Sequence, residues 1–453
     1  MGKEQLVVIG GVAAGLAAAM EARRASPELS ITVLERTGDI SYGACGLPYV
    51  IGGLIPTLES LTVHTPEYFR EQHGIEIRLH SEALEILPAK SVVRVRVDKE
   101  EREIPYSALV IATGAAAVCP PLPGHDIEGV FVLRHLRDGR RMLRFIEETR
   151  PRTAVVVGAG YIGLEMAEAF VARGLRTMLV EASDKVMSEV GGRAREIVVE
   201  EIRAHGVEAV FGERVAAFEG AGGRVARVVT ESGRAFEADI VLIGGGVRPE
   251  VRLAHSAGLE TGESGAIVTD EWQRTGAAGV YAAGDCCEVL HRVSGRRVWN
   301  PLGQPAVRQG WVAGANAARG GSSPEARYAG VVGTNAVKVF GLEVARTGLS
   351  LEEARDAGFD AEESSSETAS RAGYYAGGSK IFTNLVSERT GRLLGAQMVG
   401  REGVAQRIDV YAAALHAALR TDDIERLDLA YAPPFAPTID PIVRAAHKAT
   451  KRG

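Results

Sequence analysis

The chain has 453 residues, of which 46% are hydrophobic, 24% charged and only 6% aromatic, with a net charge of −6. That length calls for two or three domains, and the charge balance offers no basic excess to recruit nucleic acid. Four cysteines make no disulfide framework, so the cytoplasm is the expected compartment.

The apolar run Leu6-Val7-Val8-Ile9 reads as a buried strand. It feeds Gly10-Gly11-Val12-Ala13-Ala14-Gly15 and an alanine-rich helix. The uncharged stretch from Leu6 to Met20 lacks a basic flank and is too short to span a bilayer, so no membrane attachment is expected. Ser30 to Leu34 reads as the next strand and ends at Glu35, twenty-five residues after Gly10. A glycine turn between strand and helix lets backbone approach a pyrophosphate, and an acid ending the next strand accepts a ribose hydroxyl. Val12 stands where this dinucleotide fingerprint usually has its second glycine.

Next comes Cys45, in Ser41-Tyr42-Gly43-Ala44-Cys45-Gly46-Leu47-Pro48-Tyr49, with no second cysteine near. It can cycle only by pairing with something outside its segment: a small thiol, a sulfane sulfur or oxygen. Gly46 permits close backbone approach, and Pro48 suits the first turn of a helix whose dipole would lower the thiol pKa. A small buried hydrophobe is the competing reading of this residue taken alone.

Leu109-Val110-Ile111-Ala112-Thr113-Gly114 is an apolar strand ending in small residues, where the chain should leave its first domain. The fingerprint then recurs 148 residues after the first copy, as Ala154 to Val157 followed by Gly158-Ala159-Gly160-Tyr161-Ile162-Gly163. Glu181 ends the strand that follows it. Two such sites in one chain imply two cofactors, a flavin dinucleotide and a nicotinamide. Glu181 would repel a 2′-phosphate, so NADH is preferred over NADPH.

Val280-Tyr281-Ala282-Ala283-Gly284-Asp285 should mark the return to the first domain. The adjacent Cys286 and Cys287 read as buried structural residues, since a bond between neighbours is strained, and Cys119 reads as a linker residue. A break at Gly320-Gly321-Ser322-Ser323-Pro324 precedes a third domain without a glycine fingerprint. There 332–347, 378–387 and 393–399 read as strands, 404–419 as an amphipathic helix, and Glu362 to Arg371 as an exposed loop.

Cys45-Gly46-Leu47-Pro48-Tyr49, both fingerprints, Ala112-Thr113-Gly114, Ala283-Gly284-Asp285 and Tyr431-Ala432-Pro433-Pro434-Phe435 carry a resemblance over the whole length. The chain resembles the single-cysteine branch of the FAD-dependent pyridine nucleotide-disulfide oxidoreductases, above all the coenzyme A disulfide reductases and NADH-dependent persulfide reductases. The resemblance implies an α/β fold with two Rossmann-like dinucleotide-binding domains, one inserted in the other, plus a C-terminal α+β dimerisation domain. Residues 1–115 and 250–325 would bind FAD, 116–249 would bind NAD(H), and 326–453 would form a homodimer.

By the same resemblance, Gly10, Gly15, Glu35, Arg36, Thr113, Gly114, Gly284 and Asp285 hold FAD. Gly158, Gly160, Gly163 and Glu181 hold NADH. Tyr161 is similar to an aromatic that covers the flavin until nicotinamide displaces it, and Glu165 to an acid near the nicotinamide ring. Asn300 to Gly310 resembles the segment whose helix points at the flavin. Tyr431 and the pair Tyr374-Tyr375 match positions that reach the partner's cysteine, with interface packing as their alternative role.

The chain departs from two branches of the family. Ala13 replaces the histidine base of peroxidase relatives, which disfavours peroxide chemistry. Ala44 replaces the asparagine that precedes the cysteine in many coenzyme A disulfide reductases, which leaves the thiol substrate open. The implied activity is NADH-driven reduction of a disulfide, persulfide or polysulfide through Cys45, with coenzyme A as a candidate ligand. A positive entrance would suit its phosphates; Arg23, Arg24 and Lys380 are weak candidates for it and read first as ordinary solvated charges. The alternatives are an NADH oxidase and a flavoprotein electron-transfer or redox-sensing module with a protein partner.

Overall fold

Valine- and isoleucine-rich runs buried on both faces favour parallel sheets, and the chain builds two. The computed structural model describes residues 4–319 and 326–451, so the glycine-serine break at 320–324 lies outside it. β1 (Gln5–Ile9) runs through the first glycine turn into α1 (Ala13–Ala25) and returns as β2 (Ser30–Leu34), parallel to β1. After the short helix α2 (Leu47–Ile51), β3 (Ile75–Arg78) and β4 (Ala108–Ile111) extend the sheet.

The chain then crosses out through the strand Ala115–Ala117 and forms α3 (Leu136–Thr149) beside α2. β5 (Thr153–Val157), α4 (Tyr161–Ala172), β6 (Arg176–Glu181), α5 (Gly192–Ala204), β7 (Glu208–Phe211) and β8 (Ile240–Ile243) follow. Their sheet has the order β7-β6-β5-β8, with Val130–Phe131 at its edge. The chain returns through Val247–Pro249, antiparallel to Ala115–Ala117. β9 (Val280–Ala282) completes the first sheet in the order β9-β4-β1-β2-β3.

α6 (Gly303–Ala317) lies directly on α1. A Cβ on Gly310 would stand 2.3 Å from the Ala14 carbonyl oxygen, and one on Gly314 2.0 Å from that of Ala18. Only glycine lets these backbones approach so closely.

The third domain is an antiparallel sheet of β10 (Asn335–Val339), β11 (Leu342–Gly348), β12 (Ala361–Ala369), β13 (Lys380–Glu388) and β14 (Leu393–Gly400), in the order β10-β11-β14-β13-β12. α7 (Val404–His416) and α8 (Pro441–Thr450) pack on it. Two expectations need correcting. The strand expected over 332–347 is a hairpin, because Phe340 adopts a φ of +51° and reverses the chain ahead of Gly341. The loop expected at Glu362 to Arg371 is mostly strand β12, paired along its length with β13. Its Ser364, Ser366 and Thr368 stand opposite Leu385, Thr383 and Ile381, so they share the face that packs against the alanines of α8.

The hairpin tip at Phe340-Gly341 is clamped by the second domain. Glu168 of α4 accepts from the Phe340 N–H at 2.7 Å, and Glu201 of α5 accepts from the Gly341 N–H at 3.1 Å. No helix among the described residues is long and apolar enough to cross a membrane.

Candidate active site

The two glycine turns are built alike. Gly10 and Gly158 have φ of +112° and +103°, and a Cβ on them would press to 2.2 Å and 2.5 Å from the carbonyl oxygens of Ala112 and Gly244. A Cβ on Gly15 or Gly163 would stand 1.9 Å from the oxygen of Gly10 or Gly158. Each acid secures its own turn: Glu35 Oε2 accepts from the Gly11 N–H at 2.9 Å, and Glu181 Oε2 from the Ala159 N–H at 2.7 Å. Their other oxygens accept from Thr37 and Ser183.

A carboxylate offers about four acceptor positions, so each acid keeps capacity for a ribose hydroxyl. Gly160 has nothing within 4 Å of where its Cβ would lie, which leaves backbone open to a pyrophosphate. The residues therefore fit two dinucleotides.

From the first turn a cleft runs past Glu35 and Arg36 to Thr113, Gly114, Arg134 and Tyr42. Arg36 is exposed and lies 3.9 Å from Glu250. Thr113 donates its hydroxyl to the Glu250 carbonyl at 2.6 Å, tying the outgoing crossover to the returning one. Gly284, at φ +87°, donates its N–H to Gln309 of α6, so the segment before Asp285 is fixed from that helix. Asp285 itself pairs with Arg134 at 2.7 Å.

Cys45 sits in the one-turn 3₁₀ helix Ala44–Gly46 that leads into α2, with Pro48 in the first turn of α2. Its side chain is exposed, yet the protein around it withdraws the thiol from bulk water. That desolvation raises the Cys45 pKa, and the charge of Glu165 raises it further. The lowered pKa expected from a helix dipole is therefore overturned: α2 has only five residues, and Arg134 alone among the nearby charges pulls the other way.

Glu165 reaches this site from α4. Burial lifts its pKa to about 7, against the opposing hydrogen bond from the Tyr49 hydroxyl at 3.3 Å. Tyr161, at the start of the same helix, donates to Asn335 of β10. Tyr374 and Tyr431 lie on the third domain, exposed, with their hydroxyls 3.1 Å apart, and the neighbouring Tyr375 is exposed as well.

Residues 4–310 match the family model described as pyridine nucleotide-disulphide oxidoreductase, and 334–441 match its dimerisation domain. The chain belongs to this family. The family uses FAD and NAD(P)H, and the dimerisation domain makes the protein a homodimer.

Three relatives place it further. It is 40% identical over 443 residues to the NAD(P)H sulfur oxidoreductase (CoA-dependent) of Pyrococcus abyssi, covering 97% of both chains. It is 33% identical to an NADH oxidase of Methanocaldococcus jannaschii, covering 98% of each. The solved NAD-dependent persulfide reductase from A. fulgidus superposes with a TM-score of 0.95 at 37% identity, covering 99% of this chain and 83% of that one.

The sequence does not single out Arg134, Tyr42, Tyr49 or Asn335 as site residues. Arg134 lies 151 residues from Asp285 and Asn335 lies 174 from Tyr161, so no local spacing announces them. Tyr49 carried a signal, since it stands four residues from Cys45 in a helical segment and can share its face. The candidate phosphate contacts are engaged elsewhere: Arg23 with the carbonyls of His73 and Gly74, Arg24 with Glu21, Lys380 with Glu367. Cys286 and Cys287 are fully buried with their sulfurs 3.6 Å apart, and Cys119 is exposed. Among the described residues no cluster of His, Cys, Asp and Glu is placed to hold a metal ion.

Proposed function

We propose that the protein is a cytoplasmic NADH-dependent reductase of coenzyme A disulfide, coenzyme A persulfide or polysulfide, with Cys45 as its redox thiol. The observation that carries this reading is the placement of Cys45: an exposed thiol in the field of Glu165, Arg134 and Asp285, with no second cysteine beside it. In this reading 1–115 with 250–325 is the FAD domain and 116–249 the NADH domain. Gly10, Gly15, Glu35, Arg36, Thr113, Gly114, Gly284 and Asp285 hold FAD, and Gly158, Gly160, Gly163 and Glu181 hold NADH. Tyr161 would cover the flavin, and Glu165 would be the acid near the nicotinamide ring.

The Cys45 thiolate attacks one sulfur of the substrate, forms a mixed disulfide and expels the other sulfur as thiolate or sulfide. FAD and NADH, held by the residues above, would supply the electron pair needed to cleave this mixed disulfide. Cys45 returns to the thiolate, and the second thiol leaves with a proton. Tyr431 and Tyr375 of the third domain serve the partner's cysteine, Tyr431 as the proton donor to the leaving sulfur. The Pyrococcus relative is a CoA-dependent sulfur oxidoreductase and the solved one a persulfide reductase, and both support this substrate class.

The oxidase relative favours a second reading, in which oxygen is the acceptor and Cys45 cycles through sulfenic acid. A substrate panel decides between them. Purified holoenzyme is assayed with NADH in air alone, then anaerobically with coenzyme A disulfide, coenzyme A persulfide, polysulfide and glutathione disulfide. Oxygen turnover equal to the best sulfur turnover overturns the reductase reading. Sulfur turnover unchanged in Cys45→Ser overturns the role of the thiol.

A further inference from the structure

The first residue of α4 follows the second glycine turn directly and is held from another domain. The Tyr161 hydroxyl donates to Asn335 Oδ1 at 2.9 Å, and Asn335 opens strand β10 of the third domain. Asn335 does not sit on a yielding loop. It pairs across the sheet with Arg346, whose guanidinium is buried and hydrogen-bonded to the Gly348 carbonyl at 2.9 Å and to Glu353. The same strand grips α4 again one turn beyond Glu165, where Glu168 pairs with Lys338 and accepts from the Phe340 N–H. Burial keeps the Tyr161 phenol well above its usual pKa, so it stays a donor. On its other side Tyr161 adjoins Gly160, whose surroundings are open.

We propose that Asn335 is a latch: it holds Tyr161 closed, so that nicotinamide must break a bond to the dimerisation domain to reach the site Tyr161 covers. This rests on the reading of Tyr161 as the flavin cover. A dinucleotide that binds only the open position shows an affinity reduced by the fraction of molecules that are open. One neutral hydrogen bond shifts such a balance about two- to tenfold. Asn335 acts through Tyr161 and is a positioning residue.

The test is calorimetric titration of the oxidised holoenzyme with NAD+, alongside the KM and kcat for NADH. Asn335→Ala should lower the Kd for NAD+ and the KM for NADH about two- to tenfold, with kcat changed less than twofold. Tyr161→Phe keeps the ring and loses the hydroxyl, so it should lower the Kd for NAD+ as far as Asn335→Ala does, and the double variant should lower it no further. Asn335→Asp keeps an acceptor and should hold the Kd at or above the wild-type value. If Asn335→Ala leaves the Kd unchanged while Tyr161→Ala lowers it, the latch is overturned and the cover stands. If Tyr161→Ala also changes neither Kd nor KM, the cover reading falls with it.

Discussion

The Tyr49 hydroxyl donates to Glu165 Oε1 at 3.3 Å, which joins the helix after Cys45 to the helix after the second dinucleotide turn. The two helices pack closely there: a Cβ on Gly52 would lie 3.2 Å from the Cα of Ala169, and Arg173 donates to the Ile51 carbonyl. A charge on α4 is thus set against a thiol on a different domain. Buried Glu165 titrates at about 7, so its charge appears near neutral pH.

Glu165→Gln should make Cys45 easier to ionise. Below pH 7 the wild-type carboxyl is mostly neutral and adds little to the Cys45 pKa; above pH 7 it is charged and raises it. The rate of iodoacetamide capture by the reduced enzyme, followed against pH, should have its midpoint at lower pH in the variant. The same titration bears on stability. A carboxyl raised from 4.5 to about 7 on folding loses stabilisation as pH rises through that window, so the variant should hold its stability better at pH 8. A midpoint that stays put would sever Glu165 from Cys45.

Gly158 and Gly160 should respond oppositely to alanine. Gly158 has φ +103° and no room, so Gly158→Ala should destabilise the fold by about 1–3 kcal/mol. Gly160 has φ −82° and open space, and alanine there should leave the thermal midpoint unchanged or slightly higher. Its added methyl would meet the pyrophosphate, so the KM for NADH should rise at least tenfold with the FAD content unchanged. Wild-type NADH affinity in Gly160→Ala would show that this turn does not carry the dinucleotide.

The glycine turns are legible because much of their demand is local: Gly10 and Gly158 take a positive φ, and a Cβ on Gly15 or Gly163 would stand 1.9 Å from the carbonyl oxygen five residues earlier. Strand β12 is not, because its core-facing positions are Ser364, Ser366 and Thr368. The strand packs on α8, whose buried side chains include Ala445, Ala446 and Ala449, so the alternation that marks a strand is there without the hydrophobicity that reveals it. The Cys45 pKa is not legible in the sequence for a different reason. Its local helix is too short to matter, and the charge that acts on it comes from 120 residues away.

Arg134→Ala should leave Asp285, whose side chain is 11% exposed, without its counter-charge. An unpaired group this buried costs about 1–3 kcal/mol, read as a lower thermal midpoint of the apoprotein. The FAD retained through gel filtration should fall with it. Arg134→Lys should recover only part, because Arg134 also donates through Nε to the Ala115 carbonyl at 3.1 Å, a fork that lysine lacks. A stable, fully flavinylated Arg134→Ala would mean that Asp285 needs no partner.

Tyr431 and Phe435 should separate packing from chemistry in the dimer. Arg407 holds their segment in place by donating to the Phe435 carbonyl and pairing with Asp440, yet the Phe435 ring is 76% exposed in the single chain. So large an exposed ring on a dimerisation domain reads as interface. Phe435→Glu should therefore shift the protein toward monomer at micromolar concentration in sedimentation velocity. Tyr431→Phe keeps the ring and removes the hydroxyl bonded to Tyr374, so the dimer should persist. If Tyr431 donates a proton to the leaving sulfur, sulfur-substrate turnover should drop about 10²-fold, the lower range for losing a general acid. NADH reduction of an artificial electron acceptor, which needs no such proton, should be unaffected. Full sulfur turnover in a dimeric Tyr431→Phe would reduce the tyrosine to packing alone.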